Sequence, residues 1–404
     1  MTETIDPPKS EEFATSYTET SNTTNSRPLD VLILTSEAPP IISGISTCIG
    51  RLANGLTDRG HRVEVLSSVE IPRLTLGELR VSSFVAYWPR IARQLGQFDV
   101  VNLHGPVPTM TDAFLQLSAR LPDYGRSAIV YTHHSPINIR GASRISARYN
   151  RYHDLLAMQA DRIVTSSQHY ASHHFRRYGP LVQAIPWGTD VRSSPPSRLK
   201  RPFDTLNVLF VGQMRACKGV ETLLAAVAGQ PRVKLTLVGT GAKLSSYKRL
   251  AEHLGATNAQ FLGRLNDQEL QEQYDANDVV VLPSVTRAEG FGLVLLEGMA
   301  AGCVPVASDL PGVRDVAGPT GVLVPPEDPG ALRAALVGLA DSDRLEGLQS
   351  DSWLAAQALS WERCIDSYEN VLFDAVRGRY AQLHGIAMLP EIDRQYCGDK
   401  EVAR

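Results

Sequence analysis

The sequence predicts an α/β protein made of two consecutive doubly wound parallel-sheet domains. Short apolar runs bounded by polar residues alternate with amphipathic stretches, as strands and crossover helices do in such sheets. The alternation runs twice, and the Pro-, Ser- and charge-rich stretch RSSPPSRLKRPFDT separates the two series. A length of 404 residues suits two to three domains.

Residues 1–27 are mostly Thr, Ser, Glu, Pro and Asn. They bury too little apolar surface to offset ordering entropy and read as a disordered tail. VLILTS then reads as a buried strand, EAPPIISGIS as a loop, TCIGRLANGLTDRG as a helix with a Gly stop, and RVEVLSS as a strand. FDVVNLHG, SAIVYTHHS, RIVTSS and QAIPWGTD add further strands, giving an amino-terminal domain over 28–192 and a linker over 193–205. NVLFVG, KLTLVGTG, NAQFLGRL, VVVLPS, CVPVAS and GVLVPP are the strands of a second domain over 206–360. GVETLLAAVAG, SYKRLAEHLG, LVLLEGMAAG and ALRAALVGLA are helices between them. A long amphipathic helix over 361–383 follows a Ser at its N-cap, and 384–404 is a weakly patterned tail. Two parallel sheets side by side bring their carboxyl-end loops around one cleft, where ligands of such sheets bind.

Composition excludes several classes. Forty basic and forty-three acidic side chains give a net charge of −3, without the basic excess of a nucleic-acid binder. No apolar run approaches the ~20 residues of a membrane span. The polar, acidic start lacks the basic and apolar regions of a secretory signal. Cys48, Cys217, Cys303, Cys364 and Cys397 show no C-x-x-C spacing and read as reduced thiols in a cytoplasmic protein.

The stretch PSVTRAEGFGLVLLEGMAAGCVPVAS carries the chemistry. Glu289 and Glu297 stand eight residues apart, Glu289 in a Gly-rich turn and Glu297 in the helix after it. Eight helical steps span ~12 Å, which suits two carboxylates serving opposite ends of one ligand. Gly290, Phe291, Gly292 and Leu293 are expected to open the helix and offer free amides to an anion. An anion flanked by two hydroxyl-accepting carboxylates fits a nucleotide sugar. A capped helix with two solvated glutamates is the competing reading, and the matching neighbours weigh against it.

FVGQMRACKGVETLL, LVGTGAK, QFLGRL and EGFGLVLLEGMAAGCVPV together resemble the carboxyl half of the retaining GT-B glycosyltransferases grouped as family GT4. The resemblance runs from about Leu29 to Tyr380. It implies two Rossmann-like domains facing across a cleft, the second binding a nucleotide-diphosphate sugar and the first an acceptor. It implies Glu289 near the donor hexose, Glu297 on the ribose, and backbone around Gly290, Phe291, Gly292 and Leu293 on diphosphate and sugar. Gly239 and Leu265 line the donor site by the same resemblance, with QFLGRL passing near the base.

Two departures stand out. Gln213 occupies the family's usual Arg position, which leaves Arg215 and Lys218 as the cations for the leaving diphosphate. Gly298 stands where Ala is usual. In the amino half, APPIISGIS resembles a P-P-x-x-G-G-I turn with Ser43 for the first glycine and Gly44 retained. YTHHS resembles a strand-end T-x-H, which puts His134 in the cleft beside the reacting sugar, with His133 the competing candidate. The expected reaction is hexosyl transfer to an acceptor hydroxyl with retention, without metal or cofactor. The acceptor is a glycan, a lipid-linked sugar or a small molecule. A phosphorylase, a nucleotide-sugar epimerase or an inactive nucleotide-sugar binder on the same fold are the alternatives.

His61 reads as structural, and His104 ends a strand with cleft and structural roles equally open. His173 and His174 sit side by side on a surface helix and face different ways. Asp341 and Asp343 lie far along the chain from the cleft and are not expected to bind metal. RGASRISARYNRYH, from Arg140 to His153, reads as a solvated amphipathic helix, or as a peripheral contact with anionic lipid on the inner membrane face.

Overall fold

A computed structural model describes residues 27–383 apart from 77–78, 121–126, 139–141, 193–204, 288 and 341–344. Both tails, nearly all of the linker, Arg140, Asp341, Asp343 and Cys397 therefore lie outside the described residues.

The first sheet uses β1 (Asp30–Leu34) and β2 (Arg62–Leu66). A small antiparallel hairpin of β3 (Arg73–Leu76) and β4 (Leu79–Ser82) follows. β5 (Val100–Gly105), β6 (Ala128–His133), β7 (Arg162–Thr165) and β8 (Val182–Ala184) complete the sheet in the order β2-β1-β5-β6-β7-β8, all parallel. The second sheet has β9 (Leu206–Val211), β10 (Val233–Val238), β11 (Ala259–Gly263), β12 (Val279–Leu282), β13 (Val304–Ser308) and β14 (Val322–Val324). Its order is β11-β10-β9-β12-β13-β14, again all parallel. The two sheets share the doubly wound plan but differ in one placement: the third strand in chain order, β5, lies inside the first sheet beside β1, whereas its counterpart β11 forms an edge of the second beyond β10.

Burial explains which strands are plainest in sequence. β5, β6, β12 and β13 are buried at every residue and read as mainly apolar runs, unbroken in β12 and carrying buried polar residues such as Asn102 and Thr132 in β5 and β6. The edge strand β2 alternates exposed and half-buried positions. In QAIPWGTD the strand is only Val182–Ala184, because Pro186 cannot donate to a ladder.

Among the described residues, five α-helices fall outside the elements the sequence identifies: Phe84–Gln94, Thr111–Ser118, Asp267–Ala276, Val313–Ala317 and Leu345–Gln357. Pro89 inside the first reads as a breaker. Asp267–Ala276 buries only Tyr274 and so shows no apolar stripe. A capping box of Asn266 and Glu269 fixes its start instead.

The long helix Trp361–Leu383 packs on the amino-terminal domain, against β5, β6 and the helix Gly44–Asp58. Its Cys364, Ile365, Tyr368, Val371 and Leu372 join one apolar core with Ile49, Leu52 and Leu56 of that domain and Phe291, Leu295 and Met299 of the other. His61 fastens it: Nδ1 accepts the Leu29 amide at 3.0 Å and Nε2 meets Glu369 Oε1 at 2.8 Å. His61 is thus structural. Gly188 lets the backbone of Trp361 approach, where a Cβ would stand 2.4 Å from the Trp361 nitrogen.

Candidate active site

Every candidate residue follows the carboxyl end of a strand. Gly44 follows β1, His134 β6, Arg215 and Lys218 β9, Gly239 β10, Leu265 β11, and Glu289 to Glu297 β12. These ends line the cleft between the two sheets.

Gly292 has φ +86°, and a Cβ there would lie 2.9 Å from Leu282 Cδ2, so glycine is required at this N-cap. The helix therefore begins at Leu293, the first residue of the stretch LVLLEGMAAG. Gly290 and Phe291 precede it, and the Phe291 side chain is buried in the shared core. Free amides at the Leu293–Ala300 N-terminus remain available to an anion. The Gly44–Asp58 N-terminus meets the same place, since a Cβ on Gly44 would touch Leu293 Cδ1 at 3.5 Å. Ser43 caps that helix in extended conformation, φ −162°, its hydroxyl oxygen accepting the Ser46 amide at 3.1 Å. Serine fits there because the backbone needs no left-handed residue.

Lys218 Nζ and Glu289 Oε2 form an ion pair across the loops after β9 and β12. Their side chains are 24% and 17% exposed, so bulk water screens the pair only in part. Ser284 Oγ donates to the same Glu289 oxygen at 3.1 Å. Lys218 is held by Gly219, whose φ is +66° and whose Cβ would fall 1.8 Å from the Pro283 oxygen. Arg215 is exposed and does not join the pair. Its Nη1 reaches Gln213 Oε1 at 3.5 Å. Gln213 Nε2 in turn approaches the Ile42 carbonyl of the other domain at 3.5 Å.

Glu297 faces a different partner. Tyr274 Oη donates to its Oε2 at 2.6 Å. Burial raises its carboxyl above the usual range, and the Tyr274 hydrogen bond opposes that shift. Gly298 lies against Val280, where a Cβ would come 2.5 Å from Cγ1, so the larger alanine would not fit. Gly239 has φ +131°, and its Cβ would collide with the Gly212 carbonyl oxygen at 2.0 Å. The loop after β10 is thereby laid on the loop after β9. Leu265 is half-buried against the shared core.

Strand alternation separates the two histidines. His133 points into the amino-terminal domain, stacking on His174 with ring centroids 5.3 Å apart. His134 points to the cleft side. Its Nε2 meets His104 Nδ1 at 3.0 Å, and its ring lies parallel on Trp187 at 5.8 Å and 12°. His104 thus belongs with His134, as its partner. Its own Nε2 is buried without a hydrogen bond among the described residues. His173 stacks on His169 at 4.4 Å, so the adjacent pair does face two ways, within a single turn rather than a full helix.

Burial holds His104, His133, His134 and His153 below the ordinary histidine range, His134 and His153 at about 4. These rings stay neutral in the fold while an unfolded chain protonates them near 6.5. The unfolded state then binds more protons between about pH 6.5 and 4, so stability falls as pH drops through that window. The urea midpoint is expected to be lower at pH 5 than at pH 7. An unchanged midpoint would remove the effect.

Three features had no signal in the sequence: Ser284 on Glu289, Tyr274 on Glu297, and Trp187 under His134. A fourth joins the domains. Asp315 Oδ2 accepts the Ser167 hydroxyl at 2.6 Å and the His169 amide at 2.9 Å. Among the described residues no group of three or more His, Cys, Asp and Glu could hold a metal ion. No described helix is long and apolar enough to cross a membrane.

Residues 196–346 match the family Glycosyl transferases group 1, and residues 42–193 match Glycosyltransferase Family 4. A D-rhamnosyltransferase of Pseudomonas aeruginosa is 31% identical over 249 residues, which cover 59% of this chain and 63% of that protein, less than two thirds of its length. A phosphatidyl-myo-inositol mannosyltransferase of Mycolicibacterium smegmatis is 30% identical over 334 residues, covering 75% of this chain and 82% of that protein. Among solved structures, sucrose-phosphate synthase from Thermosynechococcus elongatus aligns with a TM-score of 0.65 at 22% identity, covering 89% of this chain and 100% of the other. The Anabaena protein HepE in complex with UDP aligns at 0.65 and 20%, covering 86% and 100%. These structural likenesses establish the two-domain GT-B fold. The chain belongs to the group 1, family 4 glycosyltransferases.

Proposed function

We propose that the protein moves a hexosyl group from a nucleotide-diphosphate sugar to an acceptor hydroxyl with retention of configuration, without a metal or cofactor. The observation that carries this is the Lys218–Glu289 pair, set beside two helix N-termini from opposite domains. The diphosphate would lie at the amides of Leu293 and the start of the Gly44–Asp58 helix, with Lys218 as its cation. Glu289 would accept hydroxyl hydrogen bonds from the hexose, and Oε1 of Glu297 those of the ribose. Tyr274 fixes Glu297, and His104 and Trp187 fix His134 at the sugar. Arg215 would have to swing from Gln213 to reach the diphosphate.

In this reading the acceptor oxygen forms a bond to the anomeric carbon on the face from which the diphosphate leaves. The bond to the diphosphate oxygen breaks, and that oxygen takes the acceptor's proton. The protein contributes positioning and preorganised charge. The basic helix Ser143–Ala157 exposes Ile145, Tyr152 and Leu155 among Arg144 and Arg148. That face supports a peripheral contact with anionic lipid, and liposome flotation checks it.

The test is nucleoside-diphosphate release from UDP-, GDP-, ADP- and dTDP-sugars, followed by NMR of the product anomer. Release from one donor with the anomer retained is expected. An inverted product would overturn retention. Sugar isomerisation without an acceptor would favour an epimerase.

A further inference from the structure

A cavity of about 500 Å³ opens in the amino-terminal domain beside the proposed reaction centre. Its wall starts at Pro136, two residues after His134, and closes at Arg287, two residues before Glu289. A volume of this order suits a single sugar or polyol.

The charge on its wall is one-sided. Arg151 comes from the helix Ser143–Ala157, Arg177 from the turn Arg176–Leu181, and Arg287 from the loop after β12 in the other domain. None has a carboxylate within ion-pair distance among the described residues. Arg51, Arg59, Arg62 and Arg314, by contrast, each pair with one. Asp154 is the one carboxylate among the lining residues, and it is already engaged by His174 Nε2 at 3.1 Å. All three side chains are exposed, so water screens part of their mutual repulsion, and an anion held between them would offset the rest.

The wall is also rigid. Asn150 accepts the Ile137 amide and donates to the Ile137 carbonyl, both at 2.9 Å, which clamps the segment after β6 to the helix.

We propose that this cavity binds the acceptor through a phosphate ester that the acceptor carries, held by Arg151, Arg177 and Arg287. The inference rests on the transferase reading above and names its acceptor class. Guanidinium forks match phosphate oxygens in geometry and charge. Asn138 and Ser143 remain on the wall for acceptor hydroxyls. Because Arg287 comes from the donor domain, the phosphate ties the two domains together over the reacting sugar.

The experiment uses the full chain and the donor that shows release. Glucose, mannose and myo-inositol are compared with glucose 6-phosphate, mannose 6-phosphate and inositol 1-phosphate, and with phosphatidylinositol vesicles. At least one phosphate-bearing acceptor is expected to raise nucleotide release well above donor hydrolysis and above its unphosphorylated twin. Turnover of a soluble ester assigns a free phosphomonoester; turnover confined to vesicles assigns a lipid headgroup. In Arg151→Gln and Arg177→Gln the preference for the phosphorylated twin is expected to fall about ten- to a hundredfold, through KM. Inorganic phosphate is expected to compete with the acceptor in the native protein, a readout that needs no variant. Donor hydrolysis with equal use of neutral and phosphorylated acceptors would overturn the anion site and leave the transferase reading standing, and so would donor hydrolysis with no stimulation by any acceptor. No nucleotide release from any donor would overturn both.

Discussion

Lys218→Ala is expected to lower kcat for sugar transfer by about two to three decades, the usual cost of removing one preorganised donor from developing negative charge. The ammonium pairs with Glu289, whose oxygen also takes the Ser284 hydroxyl. A nucleotide sugar would turn that cation toward the diphosphate, where charge grows as the glycosidic bond breaks. The interaction strengthens along the reaction, so its loss falls on kcat more than on donor KM. Lys218→Arg is not expected to restore full rate, because a flat fork replaces a compact point charge in a loop fixed by Gly219. Initial rates of nucleotide release, native against variant, decide it. A loss below about fivefold would take Lys218 out of the chemistry.

Gly290→Ala is expected to cost about a hundredfold in transfer with little change in the far-UV circular dichroism. A Cβ on Gly290 would lie 2.2 Å from the His134 carbonyl oxygen across the cleft. The Gly290 carbonyl is itself packed so that a Cβ on Gly312 would stand 2.1 Å from it. Backbone stands on both sides, so no rotamer change relieves the clash. The loop must move by an ångström or more, and a misplacement of that size in a reacting geometry costs about two decades. The contact joins the domains rather than filling either core, so each domain keeps its fold. Gly338→Ala, with nothing within 4 Å of the added carbon, is the control. Full activity of Gly290→Ala would mean that the cleft works without this contact.

How far the sequence can be read depends on where each residue's partner lies. Parallel strands such as β6 and β12 are buried on both faces, so the local string carries the signal. Phe84–Gln94 hides behind Pro89, and Asp267–Ala276 hides because its only buried residue is Tyr274. That second omission also conceals a site contact, since Tyr274 is the residue that orients Glu297. The glycines, Lys218 and Glu289 stand out as a spaced motif, because backbone geometry and charge dictate residue type locally. Trp187 under His134 and Arg287 on the wall of the cavity beside it arise from segments brought together only by folding, and no local pattern marks them. Ser43 shows the reverse case. A glycine missing from a motif suggests an altered loop, yet extended backbone at φ −162° accepts serine and gains a cap.

The helix Trp361–Leu383 has a consequence for biosynthesis. It supplies Cys364, Tyr368 and Leu372 to a core whose other members include Ile49 and Leu52, and Glu369 holds the histidine that accepts the Leu29 amide. A nascent chain emerges from the ribosome in the opposite order. The domain made first therefore waits, with part of its apolar surface uncovered, until this helix has been synthesised. Ribosome stalling or proteolysis before Trp361 leaves that surface open, and the chain becomes a client for chaperones rather than a smaller working enzyme.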